Sequence, residues 1–239
     1  MFGLLIPLIV LAFLAIIIAL GVYAVLRVRS GEPMRISFST IVLAYFYLMS
    51  IASFLVLVAG LSIGVKAGLS DVLGPEFSYY VQSPVRMVPA EVPTSGVKPT
   101  DMKPQPVPAD ELERSRRQAE RQYQEDVLQA GTMVVVGGIV WALHRWGRRR
   151  AEAQGDGTQG FFSKAYMTIM LALFGIVGLI SLAMGVYEVL RYWIIPVDEV
   201  MSRQPPGSTI ATAIVFVPIW LYFLYQALGK SGRETQPES

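Results

Sequence analysis

Residues 110–150 decide the fold, and they read DELERSRRQAERQYQED, then VLQAGTMVVVGGIVWAL, then HRWGRRR. Asp110 and Glu113 have the spacing of a capping box, and the prolines before them cannot lie inside a helix, so a helix is predicted to begin there. No helix breaker follows before the basic end. We therefore predict one continuous helix over residues 110–146, roughly 50 Å long at ~1.5 Å per residue.

That length exceeds the ~30 Å hydrocarbon core of a bilayer, so the first turns must project into water. Opposite charges recur there at i, i+4, which is typical of a solvated helix. The expected pairs are Glu113–Arg117, Arg116–Glu120 and Arg121–Glu125. The second half of the helix, from Val127 onward, is apolar enough to form a membrane span.

The composition of the chain indicates a multi-pass membrane protein. Its 239 residues are 53% hydrophobic, and its mean hydropathy is +0.48, which is too apolar for a soluble domain of this size. Because the chain has no cysteine, disulfides, iron–sulfur clusters and thiol nucleophiles are excluded. A single histidine removes bis-histidine haem and nearly all histidine metal sites within one chain. No catalytic motif is present, so we predict a non-enzyme without cofactor or metal.

The fold class predicted from these patterns is an all-α integral membrane protein with five transmembrane helices, one of them extended beyond the bilayer as a charged helix. The spans are an N-terminal anchor over 1–28, a second span over 36–66, the long helix over 110–146, and spans over 165–193 and 208–228. The connections are an external proline-rich loop over 67–109, a basic cytoplasmic link over 147–164 and a cytoplasmic tail over 229–239. The prolines of the loop favour extended polyproline-like chain.

Positive charge beside a span marks the cytoplasmic side of a membrane. A cluster of four arginines follows the third span, and we expect these side chains to contact lipid headgroups: Arg145, Arg148, Arg149 and Arg150. Beside a span, such a cluster indicates topology and anionic lipid and does not indicate nucleic acid. The predicted location is the bacterial plasma membrane, with the N-terminus outside and the C-terminus in the cytoplasm.

Small residues at helical spacing allow two helices in a membrane to approach closely. The candidate packing glycines are Gly60, Gly64, Gly68, Gly138, Gly178 and Gly185. The first three, at four-residue intervals, could form a homodimer face or pack the helices of one chain. We favour packing within the chain, because several spans need contacts with one another in any case.

Three further groups are candidate functional residues. Glu188 could couple transport to protons, but its place near a span end favours an interfacial ion pair with Arg191. The aromatic patch of Phe77, Tyr79 and Tyr80 could dock on a partner, although a place at the membrane interface is favoured. Pro218 is expected to kink or loosen the last span, over 208–228.

The run WALHRWGRRR after an apolar stretch, followed by the span FFSKAYMTIMLALFGIVGLISL, resembles a bacterial family of four-span membrane domains of unknown function. That family carries a tryptophan–histidine signature at the end of its second span. Trp141, His144 and Trp146 would form the signature here, with Arg145 between the histidine and the second tryptophan. The resemblance covers about residues 36–228 and implies a topology but no activity.

His144 is the one residue that could be an axial ligand to haem or a chlorin. Its place at the end of a span favours a plainer role, in which the ring caps helix carbonyls or touches lipid phosphate.

The function favoured by these observations is a structural, anchoring or assembly subunit of a larger membrane complex. Its partners would be the bilayer and either another membrane protein or further copies of itself. The alternatives are a small oligomeric transporter or channel, and a pigment- or haem-binding membrane subunit.

Overall fold

The structure is a computed structural model that describes residues 38–81, 85–89, 102–153, 159–194 and 205–234. Its elements in chain order are α1 (Phe38–Leu73), α2 (Pro75–Ser78), β1 (Val85–Pro89), β2 (Met102–Pro106), α3 (Ala109–Ala153), α4 (Gln159–Ile194) and α5 (Gly207–Glu234). Four of them, α1, α3, α4 and α5, are long and apolar enough to cross a membrane. The prediction of a helical membrane protein is therefore confirmed. The count of five spans is not, because residues 1–28, the predicted anchor, lie outside the described residues.

Helices α1 and α3 run antiparallel and pack along most of their length. Near one end the Tyr47 hydroxyl meets Glu152, and near the other Lys66 meets Asp126. Between these ends the two backbones nearly touch, since a Cβ added at Gly137 would lie 2.8 Å from the Leu57 amide nitrogen. Glycine is what permits this approach, because any side chain at that position would have to displace backbone.

A second antiparallel pair is formed by α4 and α5. A Cβ at Gly175 would meet the indole of Trp220 at 2.8 Å, and one at Gly185 would meet Ile210 at the same distance. The pair packs on α1 around a core of eight buried side chains: Ile51, Leu55, Val58, Met170, Leu173, Phe174, Phe216 and Phe223. In a membrane such a core is held by van der Waals contact, because lipid is as apolar as the side chains themselves.

Helix α3 lies at the edge of this bundle. Among the described helices it packs extensively only on α1. Only 11% of the residues in its most apolar stretch are buried, against 33–39% in the other three candidate spans. The third span is therefore the one most open to its surroundings.

The helix bounds differ from the sequence-based prediction at several ends. Helix α1 ends at Leu73, beyond the predicted residue 66, because no breaker precedes Gly74, whose φ of 96° only glycine adopts readily. Helix α3 continues to Ala153 and α4 begins at Gln159, so most of the expected link over 147–164 is helical. A Cβ at Gly147 would overlap the ring of Phe46, which shows that this part of α3 still packs on α1.

The prediction of a polyproline-like loop over 67–109 is wrong where the structure describes it. β1 and β2 pair antiparallel, with Val85 opposite Pro106 and Pro89 opposite Met102. Pro104 and Pro106 lie in β2, and a two-stranded ribbon tolerates proline because each strand has a free edge. Pro218, in turn, lies within α5, which continues as one helix on both sides of it.

Substitution of Gly137 tests the close approach of α1 and α3. We expect Gly137→Ala to lower the free energy of unfolding by about 1–3 kcal/mol, because the methyl group must displace the Leu57 backbone. The measurement is unfolding of the purified protein in one detergent. Gly131→Ala is the matched control, since nothing lies within 4 Å of a Cβ at Gly131. Equal stability of the two variants would contradict the close packing.

Candidate functional site

The arginine cluster after the third span does not lie uniformly at the surface. The Arg148 side chain is only 13% exposed, and its guanidinium lies over the rings of Tyr47 at 4.8 Å and Tyr166 at 5.0 Å. Glu152, one helical turn on, is 3.6 Å from Arg148 Nε. The expectation that Arg148 contacts lipid headgroups is therefore wrong: two aromatic rings and a carboxylate take up its charge inside the bundle.

The other three arginines of the cluster agree better with the predicted contact with lipid headgroups. Arg145 stacks on Trp141 at 5.4 Å and Arg150 on Trp146 at 4.0 Å, while Arg149 is exposed. These side chains can reach phosphate, and the tryptophan rings suit the headgroup level.

Both ring nitrogens of His144 have neighbours within the chain. Nδ1 lies 2.7 Å from the Val140 carbonyl oxygen, so Nδ1 carries the proton and donates it in the neutral ring. Nε2 lies 3.4 Å from the Tyr45 hydroxyl, which then donates to it. An axial ligand to haem would need a free Nε2, so this arrangement disfavours the ligand role. The predicted capping of the last helix carbonyls is wrong as well, because α3 continues to Ala153 and His144 lies inside it.

Glu188 and Arg191 are not brought together as expected. No ion pair between them occurs in the described part of α4, and Glu188 Oε2 is buried without a hydrogen-bond partner. The acid is therefore more enclosed than an interfacial pair would be.

The predicted packing glycines mostly contact the chain's own helices. Gly60 and Gly64 face α3, where Met133 and Ala130 are the nearest side chains, and Gly178 and Gly185 face α5. Gly68 has nothing within 4 Å of its Cβ position, and Gly138 has only Leu57 Cδ1 at 3.9 Å. The spacing of the glycines therefore predicted the packing face of α1 correctly. On α3 it indicated Gly138, whereas the neighbouring Gly137 makes the closest approach.

At the other end of the α1–α3 pair, a lysine is held by a carboxylate and a tyrosine. Lys66 Nζ is 2.7 Å from Asp126 Oδ2, and the two side chains are 18% and 20% exposed. The same ammonium lies 4.3 Å from the centre of the Tyr79 ring. Ser78 Oγ donates to the Lys66 carbonyl oxygen at 2.9 Å and fixes α2 on the end of α1.

Tyr79 is almost fully buried, as is its neighbour Ser78. It is 2% exposed, its ring meets that of Tyr123 edge to face at 6.2 Å, and its hydroxyl makes no hydrogen bond. Burial raises the pKa of that hydroxyl above the usual value, and the neighbouring Asp126 carboxylate raises it further. The hydroxyl is therefore protonated at physiological pH.

Beside Tyr79 lies a cleft of about 470 Å³ between the end of α1, α2 and the charged part of α3. We call it the acidic cleft, and the charged and aromatic residues that line it are Asp71, Glu76, Tyr79, Arg116, Glu120 and Tyr123. The Tyr123 hydroxyl donates to Asp71 at 3.1 Å. The cleft is the candidate functional site, since it combines a ligand-sized volume with charged and aromatic groups.

Residues 110–204 match a family described as a domain of unknown function (DUF5671). The matched stretch contains all of α3 except its first residue, all of α4, and the tryptophan–histidine motif of Trp141, His144 and Trp146. It contributes Arg116, Glu120 and Tyr123 to the acidic cleft, whereas Asp71, Glu76 and Tyr79 lie outside it. No curated protein and no solved structure matches the chain.

Only part of the cleft could be predicted from the sequence. The aromatic patch was noted, but Phe77 and Tyr79 are buried, with Phe77 against Tyr192 at 5.7 Å, and only Tyr80 is half exposed. These two side chains therefore pack inside the chain, and their place at the level of the membrane interface stays a prediction. The signal that could have revealed the cleft is the pairing of Lys66 with Asp126, which fixes the register of α1 against α3 and thereby brings Asp71 to Tyr123.

The charged helix also differs from the expected pattern. Glu113 pairs with Arg117 at 2.6 Å and Asp110 with Arg114 at 3.6 Å. The pairs Arg116–Glu120 and Arg121–Glu125 are not among the ion pairs of the described residues. The capping box is not used either, because α3 begins at Ala109 and the Pro108 carbonyl accepts from the amides of Glu111 and Leu112.

Removal of the Asp126 charge tests the lysine clamp. We expect Asp126→Asn to lower the free energy of unfolding by about 1–3 kcal/mol, because it leaves a mostly buried ammonium without a counter-charge. Unfolding in detergent measures the loss. The control Asp110→Asn breaks an exposed pair and should cost less than about 1 kcal/mol.

The double variant Lys66→Met with Asp126→Leu should recover part of the lost stability, since it removes both charges. If Asp126→Asn lowered the free energy of unfolding no more than Asp110→Asn does, the Lys66–Asp126 pair would not be buried as described.

Proposed function

We propose that this protein is a non-enzymatic membrane protein that anchors or helps to assemble a larger membrane complex. The observation that carries the proposal is the open side of α3, the candidate span with the smallest buried fraction. Within the part of the chain that the structure describes, this span packs extensively only on α1, which leaves a long apolar face for another protein.

The open face of α3 has the composition of a helix-packing surface. Gly131, Val135, Gly138 and Ala142 follow one another at intervals of three or four residues, so they share one side of the helix. Three of them are exposed and Gly138 is half-buried. Two are glycines whose Cβ positions are empty or nearly so. Glycine offers lipid little contact but lets another helix approach closely, so the face favours a membrane helix of a partner.

The orientation is part of the proposal. We infer that the end with Arg145, Arg149 and Arg150 faces the cytoplasm of a bacterial cell, because basic residues beside spans are retained there. The N-terminus and the acidic cleft are then outside the plasma membrane, and the C-terminus is inside.

A reporter at Thr100 tests this orientation. We expect a fused alkaline phosphatase to be active there and a fused fluorescent protein to be dark, because the loop between α1 and α3 would be external. A fusion after Ser239 should show the opposite pattern and serves as the control. Cytosolic behaviour of the Thr100 fusion would reverse the orientation.

Substitution of Gly131 tests the partner face. We expect Gly131→Leu to reduce the yield of a co-purifying membrane protein at least about tenfold, because the side chain blocks close approach of a partner helix. The variant's own fold is spared, since nothing lies within 4 Å of the Cβ position. Gly68→Leu is the matched control, as Gly68 is equally open but lies on α1. Quantitative mass spectrometry after detergent purification measures both.

Glu188 favours a second candidate, a small oligomeric transporter or channel. A buried carboxylate oxygen without a partner in a span is a common feature of proton-coupled transport. The same purification separates the two candidates. A homo-oligomer that binds no other protein and moves solutes in liposomes, unchanged by Gly131→Leu, would contradict the assembly role and support transport.

A further inference from the structure

One side of α1 is apolar along its length but contributes nothing to the core of the described bundle. Seven residues share this side because they follow one another at intervals of three or four: Phe38, Ile41, Tyr45, Leu48, Ala52, Val56 and Ala59. The first three are 51–79% exposed, and the other four are half-buried. Within the described ranges, none of the seven is part of either buried apolar cluster. We call this side the α1 stripe.

The other sides of α1 are occupied by described helices. A Cβ at Gly60 would lie 2.8 Å from the Met133 Cβ on α3. A second side faces α4 and α5, and its core residues are Ile51, Leu55 and Val58. A further helix that packs on α1 would therefore lie on the α1 stripe.

The chain that precedes α1 supplies an apolar segment of suitable length. Residues 1–28 lie outside the described residues, and their sequence predicts a membrane span because residues 2–26 contain no charged side chain. As a helix, these 25 residues would be roughly 38 Å long at ~1.5 Å per residue. The α1 stripe is roughly 32 Å long by the same rise, so the segment can cover all of it.

The link between the predicted span and α1 keeps the two close together. Residues 27–37 contain Gly31 and Pro33, which are signals for the end of a helix. The link also contains three arginines, which favour a place on the same side of the membrane as the arginine cluster of α3: Arg27, Arg29 and Arg35. Helices that follow one another in a chain are usually neighbours, and consecutive spans are antiparallel. The place beside α1 that α3, α4 and α5 leave is the α1 stripe.

We propose that residues 2–26 form a helix that packs antiparallel on the α1 stripe and completes the bundle as its fifth span. The segment then covers the side of α1 that α3, α4 and α5 do not use. The Gly131 face of α3 is left for a partner, and the packing of residues 2–26 does not depend on whether that partner exists.

The positions of alanine suggest the register of the two helices. Ala52 and Ala59 of the α1 stripe are seven residues apart, and so are Ala12 and Ala19 of the segment. Small residues let two membrane helices approach closely. In an antiparallel pair Ala19 faces Ala52 when Ala12 faces Ala59. Arg27 then lies at the level of the first turns of α1, where the apolar stretch begins.

Disulfide formation in native membranes tests the proposal, and the full chain suits this method because it has no cysteine. A protease site inserted after Gly31 separates the segment from α1, so the two pieces stay together on a non-reducing gel only when they are linked. We expect Ala19→Cys with Ala52→Cys to link at least about half of the chains, because facing alanines bring the Cα atoms within the ~7 Å that a disulfide allows. A register shifted by one turn would link Ala15→Cys with Ala52→Cys instead, and it would support the same contact.

The matched control pairs Ala19→Cys with Ala142→Cys. Ala142 is an exposed alanine on the Gly131 face of α3. Its depth is similar to that of Ala52, since Ala52 follows Tyr47 by five residues, Ala142 precedes Arg148 by six, and Tyr47 and Arg148 are in contact. We expect this pair to link fewer than about a tenth of the chains, because the two cysteines would lie farther apart than a disulfide allows.

Three results would overturn the proposal. Linkage of Ala19→Cys to Ala142→Cys would place the segment on the Gly131 face, and it would also remove the space that the proposed partner needs. Linked dimers of the single variant Ala52→Cys would show that a second copy covers the α1 stripe. Absence of linkage in both registers would show that the stripe faces lipid, and the proposed role of the Gly131 face would be unaffected.

Discussion

The close approach of α1 and α3 is the constraint on which the other features depend. At Gly137 the two backbones come so near that a methyl group would not fit. Such contact replaces the hydrophobic effect, which does not drive association between helices in lipid. It also restricts register, because a shift that placed Val136 at this contact would bring a side chain of α3 onto the α1 backbone. Everything at either end of the pair, Arg148 with Tyr47 and Lys66 with Asp126, is positioned by that register.

The two polar clusters also locate the bilayer. Along α1, Tyr47 and Lys66 are separated by roughly 28 Å at ~1.5 Å per residue, and along α3, Asp126 and Arg148 by roughly 33 Å. These lengths match the ~30 Å hydrocarbon core. Each buried charge would be costly at the centre of a membrane, yet each has a counter-charge and an aromatic ring where the apolar stretch ends. The two helices are thus joined at one end by the Lys66–Asp126 ion pair and at the other by the contacts of Tyr47 with Arg148 and Glu152.

Much of the architecture could be predicted from sequence, because span length and charge placement are local properties. The long helix from its charged start, the spans near residues 36–66, 165–193 and 208–228, and the packing face of Gly60 and Gly64 all follow from such patterns. What could not be predicted depends on which helices are neighbours. Arg148 looks like a headgroup ligand in sequence, and only the rings of Tyr47 and Tyr166, far away in the chain, make it a buried residue. The sequence does not distinguish Gly137 from Gly138 as the packing glycine, because the choice depends on the direction in which α1 lies.

The same reasoning explains why a ligand cleft forms only where α3 leaves the membrane. Inside the bilayer α1 and α3 are pressed together by glycines and leave no space. Beyond Asp126 the larger side chains of Tyr123, Glu120 and Arg116 replace them, while α1 ends at Leu73 and α2 turns back at Gly74. The helix ends therefore separate, and Tyr79 closes the bottom of the gap over Lys66. Lys66 is already neutralised by Asp126, so the cation that faces the other carboxylates of the cleft is Arg116.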